Sequence, residues 1–309
     1  MDAIEHINIK KDTSFAMLLE AQRRGWTLIY MQQHDLFVKD GVVFANVQTV
    51  TVQEQPQHWF TLSAPRTIPL SQLTAILMRK DPPFDMEYIY STYLLELAEQ
   101  QGVLVVNRPQ SIRDANEKFF TTWFSDYCPE TLVSRNLSQI KAFLHEQKHI
   151  VVKPLDGMGG AMIFNIREGD LNTNVILETI TNYGQRTIMA QRFLPEYKQG
   201  DKRILLINGE AFPHALARIP AAGEGRANLA AGGTGVGVDL TERDWAICHA
   251  LAPKLRDMGL MFVGLDVIGD YITEINVTSP TGLRELDRFY QANIAGLLFD
   301  AIDATLASS

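Results

Sequence analysis

The sequence predicts an α/β protein whose C-terminal part turns to α+β, and three observations carry that prediction. Up to about residue 107, short apolar strands alternate with amphipathic helices, the pattern of an open and mostly parallel sheet. From Ile150 onward the texture changes to hairpins, with Asn208-Gly209 the strongest turn signal. Near the C-terminus, two apolar runs flank Gly269-Asp270-Tyr271 within Phe262–Pro280, a second hairpin.

Each element follows from local signals. Asp12-Thr13-Ser14 is an N-cap, Phe15, Leu18, Leu19 and Gln22 follow at helical spacing, and Gly25 ends the helix. Residues 27–31 read as a strand, 38–52 as a hairpin turning at Asp40-Gly41, and 74–78 as a buried strand. Residues 86–101 form a helix with Tyr90, Tyr93, Leu94 and Leu97 on one face, followed by a strand over 103–107. The chain opens with a loop and helix, without the strand that normally starts a βαβ layer, so a truncated start is expected. Helices are predicted over 111–124, 137–148, 171–182, 244–258 and 291–306. Strands are predicted over 150–154, 161–166, 187–193, 203–207 and 210–219. Residues 220–237, rich in glycine and alanine, are too long for a routine connector and read as a lid or a disordered segment.

The chain has 309 residues, enough for two or three domains with sizeable cores, and 46% hydrophobic content is ordinary. A net charge of −8 argues against nucleic-acid or anionic-membrane partners. Two cysteines without metal spacing fit a reducing compartment. The first residues make no signal peptide and no apolar run spans a bilayer, so a soluble cytoplasmic protein is expected.

Chemistry concentrates in few places. In the last hairpin, a three-residue loop pairs Ile268 with Ile272 and sets Asp266 opposite Glu274, with Asn276 on the same face. Leu265, Val267, Ile275 and Val277 form the opposite, apolar face. A face bearing Asp, Glu and Asn suits Mg²⁺ with substrate phosphates, and the solvated side of an ordinary hairpin reads equally well. A two-residue loop instead sends Asp266 to the other face. Lys153 ends a strand and precedes Asp156, Gly157, Met158, Gly159 and Gly160, whose backbone N–H groups suit an anion; a tight turn is the plainer alternative. No Walker motif or dinucleotide fingerprint occurs. Lys118 taken alone is an ordinary surface lysine. Arg203 and Arg218 lie on the two arms of the Asn208-Gly209 hairpin, Arg79 ends an apolar strand, and each also fits a structural ion pair. Arg226 lies inside the predicted lid. The seven histidines are scattered, and neither cysteine has an activating neighbour. A lysine with a glycine loop, a carboxylate hairpin, arginines and a lid make up a kit for phosphoryl transfer by positioning and charge neutralisation.

The blocks IKKDTSFAMLLEAQRRG (from Ile9), ILMRKDPPFD (from Ile76), RDANEKFF (from Arg113), KPLDGMGG (from Lys153), GDKR (from Gly200), ARIP with NLAAGG (from Ala217) and FVGLDVIGDYITEINVTSP (from Phe262) closely resemble the bacterial glutathione synthetases, over essentially the whole chain. That family's chain normally begins with a strand several residues before the segment matching Met1-Asp2. The resemblance implies an ATP-grasp fold behind an N-terminal parallel-sheet domain. Residues 1–115 would bind substrate. Residues 116–309 would be the ATP-grasp region, with 116–195 a lid-like subdomain and 196–309 the catalytic one. It implies ligation of γ-glutamylcysteine and glycine with ATP as co-substrate, Mg²⁺ or Mn²⁺ as cofactor, an acyl-phosphate intermediate and a homotetramer. By matched motif, Lys118, Lys153 and the 156–160 loop hold ATP, Gln191, Arg192, Phe193 and Leu194 read adenine, and Asp201 faces the nucleotide. Asp266, Glu274 and Asn276 bind metal. Arg218 and Arg203 act at the reacting groups, and Lys11, Arg79, Arg226 and Arg284 hold the peptide substrate. Ligases that join D-alanines or add glutamate to protein ends are the rivals within this chemistry, and the RKDPP and NVTSP blocks speak against them. A nucleotide-binding module without turnover is the rival from another class.

Overall fold

The computed structural model describes residues 1–157, 160–221 and 233–308. In the N-terminal part the Asp12 cap forms as predicted. Its carboxylate accepts from Phe15 N at 2.6 Å, and α1 runs Thr13–Arg23. Next come β1 (Ile29–Tyr30), β2 (Leu36–Lys39), β3 (Val42–Val52), β4 (Phe60–Leu62) and β5 (Arg66–Pro69). The Asp40-Gly41 turn joins β2 to β3, and β3 pairs antiparallel with all four others. Only β6 (Ala75–Leu77), α2 (Met86–Gln100) and β7 (Leu104–Val106) make a parallel unit. The mostly parallel sheet expected here is therefore limited to one pair. Parallel pairing needs a crossover, and the stretch before β6 offers tight turns instead.

The buried face of α2 also differs from expectation. Tyr88, Ser91, Thr92, Leu95 and Ala98 are buried, whereas Tyr90 and Tyr93 are each 50% exposed. Both faces carry apolar residues at helical spacing, so periodicity alone does not choose between them. A cavity of about 660 Å³ lies among α1, β1 and β6, lined by Met17, Ala21, Trp26, Leu77 and Leu95 among others. Among the described residues β1 pairs only with β3 and β6 only with β7.

The middle part begins with α3 (Pro109–Asp114) and a 3₁₀ turn over Phe119–Tyr127. The single helix expected over 111–124 is thus broken at Asn116. Its side-chain oxygen accepts from Lys118 N (3.2 Å) and Phe119 N (2.9 Å), a local bond that competes with helix. Then follow β8 (Thr131–Ser134), α4 (Leu137–Gln147), β9 (His149–Pro154), β10 (Phe164–Arg167), α5 (Thr173–Ile180) and β11 (Ile188–Arg192). They form an antiparallel sheet in the order β10-β9-β11-β8. Ile140 and Leu144 of α4 and Leu177 and Ile180 of α5 pack on Ile150, Val152, Ile166 and Ile188 of the sheet.

The C-terminal part holds β12 (Asp201–Ile207), β13 (Glu210–Ile219), β14 (Thr234–Asp239), α6 (Glu242–Asp257), β15 (Phe262–Ile268), β16 (Tyr271–Asn276), α7 (Leu283–Tyr290) and α8 (Ile294–Ser308). Its sheet runs β14-β13-β12-β15-β16, antiparallel throughout. Asn208 and Gly209 both take positive φ, 50° and 79°, as a tight β12–β13 turn requires. Part of the predicted 220–237 loop is strand β14, and residues 222–232 lie outside the described residues. Alternating residues of β12 send Ile204 and Leu206 to the α6 side and Leu205 and Ile207 to the side of α7, α8 and α1. Helix α7 was not anticipated. It starts after Gly282 without a side-chain cap, so the usual start signal is missing. No helix among the described residues is long and apolar enough to cross a membrane.

Candidate active site

The chemistry gathers in a cavity of about 140 Å³ between the β10-β9-β11-β8 sheet and the C-terminal sheet. The larger cavity beside α1 is mostly apolar and lacks this convergence of charged groups. Lys118, Lys153, Gly157, Gly160, Gln191–Leu194, Asp201, Asp266 and Glu274 all line the smaller one. Of the predicted glycine loop, Met158 and Gly159 lie outside the described residues, as does Arg226.

The β15–β16 hairpin reaches the expected face by an unexpected route. Its turn has two residues, with Ile268 opposite Tyr271 rather than Ile272. That alone would send Asp266 to the wrong face. A register shift between Asp266 and Val267 leaves Thr273 as an extra residue, and Asp266 still lies opposite Glu274. Leu265, Val267, Ile275 and Val277 are fully buried on the other side, as predicted. The bulged Thr273 is used as well: its carbonyl accepts from Lys153 Nζ at 2.8 Å, joining the two sheets.

Asp266 is held between two guanidinium groups. Arg203 donates to both its oxygens, at 2.5 and 3.0 Å, and Arg218 Nη2 lies 2.9 Å away. Burial alone would raise the Asp266 pKa, but the two arginines outweigh it and hold the carboxyl well below the usual range. Arg218 also donates to Asp201 Oδ2 at 2.6 Å. The other Asp201 oxygen is buried and has no hydrogen-bond partner among the described residues. Burial pushes the Asp201 carboxyl up to about 6, against the pull of Arg218. Lys118 donates to Glu274 (3.1 Å) and Gly157 O (2.5 Å). Burial brings the Lys153 ammonium down to about 8, opposed by Glu274. Buried carboxylates and buried ammonium groups thus converge in this cavity, where unpaired charge is costly.

At the far end, Gln191 is buried and donates to Thr131 Oγ1 at 3.1 Å. Arg192 pairs with Glu130 (2.5 Å), and Phe193 stacks on His149 with ring centroids 3.8 Å apart. Gln191, Arg192, Phe193 and Leu194 together line this end of the cavity.

The description of the prokaryotic glutathione synthetase N-terminal domain matches residues 1–113, and that of the same enzymes' ATP-grasp domain matches residues 117–291. The chain belongs to the prokaryotic glutathione synthetase family. It is 56% identical to the glutathione synthetases of Shewanella oneidensis and of Escherichia coli K12, in each case over 99% of this chain and 97% of the relative. The fold is also that of more distant ATP-grasp ligases. The ligase PsnB, solved with a precursor peptide and AMPPNP, superposes with a TM-score of 0.63 at 15% identity, covering 99% of this chain and 96% of that one. D-alanyl-alanine synthetase A of Vibrio cholerae superposes with 0.55 at 12%, covering 96% of each.

Three of the residues assigned to peptide binding, Arg79, Arg284 and Lys11, do not line the small cavity. Arg79 is buried, donating to Ser14 Oγ (3.1 Å) and Pro280 O (2.9 Å) beneath the Phe262 ring. It has no ion-pair partner among the described residues, and burial lowers its pKa. Arg284 is engaged by Ile9 O and Glu54, and Lys11 is exposed. Arg226, the fourth, is not described. Sequence reasoning missed two hydrogen-bonded carboxylates, Asp244, which is buried, and Glu117, which is half-buried. Asp244 takes Lys202 at 2.5 and 2.6 Å, and the Thr241-x-x-Asp244 capping box was its available signal. Glu117 accepts three hydrogen bonds from Val277 and Thr278, and it adjoins the candidate Lys118 in the RDANEKFF block.

Proposed function

We propose that this chain joins γ-glutamylcysteine to glycine at the expense of ATP, giving glutathione, ADP and phosphate through an acyl phosphate. The observation that carries this reading is the Asp201–Arg218–Asp266–Arg203 cluster, whose two carboxylates line one cavity with Lys118 and Lys153. Residues 116–195 and 196–309 supply the two walls, and 1–115 presents the peptide substrate. Lys118 and Lys153 hold the phosphates, the 156–160 segment covers them, and Gln191, Arg192, Phe193 and Leu194 take the adenine. Asp201 faces the nucleotide.

In the first step the cysteinyl carboxylate oxygen forms a bond to the γ-phosphorus, and the bond from that phosphorus to the β–γ bridging oxygen breaks. ADP leaves. Arg218, with Arg203 beside it, neutralises charge on the transferring group. Glycine's amine then bonds to the carbonyl carbon, and phosphate departs with the former carboxylate oxygen while the amine loses a proton. Arg79, which lacks a carboxylate partner among the described residues, would meet the peptide's carboxylates together with Lys11, Arg284 and Arg226. Water must be kept from the acyl phosphate, the physical purpose of the segment over 219–235.

Asp266, Glu274 and Asn276 share one face of a hairpin and offer hard oxygen donors, so they fit Mg²⁺ or Mn²⁺. Among the described residues no three carboxylate, histidine or cysteine groups cluster tightly enough to hold an ion alone. A cation held there would take its remaining ligands from phosphate oxygens and water. Asn276 uses its amide nitrogen on Gly264 O at 3.2 Å, which leaves its oxygen for the cation. When bound, the cation would draw charge from the phosphate oxygens. The exposed Tyr90, Tyr93 and Trp123 rings fit burial in a homotetramer, and the two free buried cysteines fit the cytoplasm.

The test is phosphate release from ATP and Mg²⁺ with γ-glutamylcysteine, with and without glycine. The reading expects release to need both substrates and glutathione to appear. Nucleotide binding that raises the melting temperature without any turnover would instead favour a binding module that has lost catalysis.

A further inference from the structure

We propose that Glu117 is a positioning residue that sets Glu274 and Asn276 against Lys118, without itself touching ATP. The inference rests on the reading of Glu274 and Asn276 as cation-binding groups. It starts from where the chain's donors go.

Asn276 ends β16, and the residues on both sides of it are tied to Glu117. Ile275 N donates to the Glu117 backbone carbonyl at 2.8 Å. Val277 N and Thr278 N each donate to Glu117 Oε1 at 3.1 Å, and Thr278 Oγ1 donates to the same oxygen at 2.7 Å. One carboxylate oxygen thus takes three donors just where β16 leaves the sheet. Among the described residues no strand lies beyond β16 to bond those two amides, and without Glu117 they would face burial unpaired.

The neighbours of Glu117 extend the tie. Asn116 Nδ2 donates to Leu155 O at 3.0 Å, at the base of the glycine loop. Lys118 Nζ donates to Gly157 O and to Glu274 Oε1. Three consecutive side chains therefore reach three parts of the site: the loop, the strand end and the β16 carboxylate. The break in the helix at Asn116 makes this possible, since residues i, i+1 and i+2 of a continuous helix would point in three widely separated directions. A group that orients ligands without binding the ion typically costs about 10–100-fold in metal affinity when removed.

The test measures the Mg²⁺ concentration needed for half-maximal binding of a fluorescent ATP analogue, followed by anisotropy, together with the melting temperature. Glu117→Ala is expected to raise that concentration at least tenfold. Glu117→Gln, which keeps an acceptor oxygen, is expected to stay within about threefold of the parent, within the spread of a retained hydrogen bond. Thr278→Val removes a single donor and serves if Glu117→Ala does not fold; it is expected to raise the Mg²⁺ requirement measurably. A merely structural Glu117 would lower the melting temperature and leave the Mg²⁺ requirement unchanged, which overturns the proposal. So would a Glu117→Gln variant as impaired as Glu117→Ala. Glu274→Gln separates the two levels. If it leaves the Mg²⁺ requirement unchanged, the cation reading itself fails; if it raises the requirement and Glu117→Ala does not, only the positioning role fails.

Discussion

Replacing Arg218 with Met removes the charge at the centre of the cluster and keeps most of the side-chain volume. Arg218 is buried, 2.6 Å from Asp201 and 2.9 Å from Asp266. The two carboxylates are not equally exposed to its loss. Asp266 keeps both bonds to Arg203, whereas among the described residues the Asp201 carboxylate has no other side-chain donor and its second oxygen no partner. Breaking a buried pair by removing one partner costs about 3–5 kcal/mol, and the retained Arg203 places this case near the lower end. Loss of a preorganised charge at the transition state costs a further ~10²–10³ in kcat. Urea denaturation and steady-state kinetics on Arg218→Met, Asp201→Asn and the double variant separate the two effects. The double variant removes the stranded charge, so it should regain most of the lost stability and none of the lost turnover. Recovery of turnover in the double variant, or a stability loss below about 1 kcal/mol in Arg218→Met, within the range of an exposed pair, would refute the reasoning.

The remaining expectations follow from single groups. Lys153 sits near pKa 8 because of burial, so in the free protein it loses its charge as pH rises through 8. Nucleotide affinity measured by calorimetry should fall above pH 8, by up to about tenfold per pH unit for one linked proton, and Lys153→Met should flatten that profile. The same depressed pKa makes this group's contribution to stability rise between pH 8 and about 10.4, the ordinary lysine value, where only the unfolded chain still holds the proton. Glu274→Gln should abolish turnover with an unchanged circular dichroism spectrum; near-normal activity would remove the hairpin from the site. Asp244→Ala strands the Lys202 ammonium and removes a cap, so chemical denaturation should show a loss of about 3 kcal/mol. Ala21→Leu extends into the cavity beside α1 and should raise the melting temperature, since added burial there meets empty space.

Part of the site was legible because its residues sit on strands. Glu274 and Asn276 share a face through strand alternation, and the Asn208-Gly209 turn makes β12 and β13 neighbours, although a register shift between Ile204 and Leu206 sets how Arg203 and Arg218 converge on Asp266. What was not legible depended on irregularity. The Thr273 bulge rescues the face of Asp266, and no pattern of apolar residues announces an extra residue in a strand. The side chain of Asn116 interrupts what periodicity presents as one helix. Helix α2 offered two apolar faces, and only packing against the N-terminal sheet selects one. The role of Glu117 depends on amides 160 residues away that no local signal links to it. In the N-terminal part, alternation of strands and helices suggested a wide parallel sheet, while the hairpins before β6 consume those strands in antiparallel pairs.

The central claim is that the substrate's own carboxylate receives the γ-phosphoryl group in this cavity. It is tested most directly with γ-glutamylcysteine carrying ¹⁸O in its cysteinyl carboxylate, by mass analysis of the phosphate released in a single turnover with glycine. The account predicts one labelled oxygen in that phosphate, because the C–O bond breaks when the amine attacks. Phosphate free of label, with glutathione still formed, would contradict it.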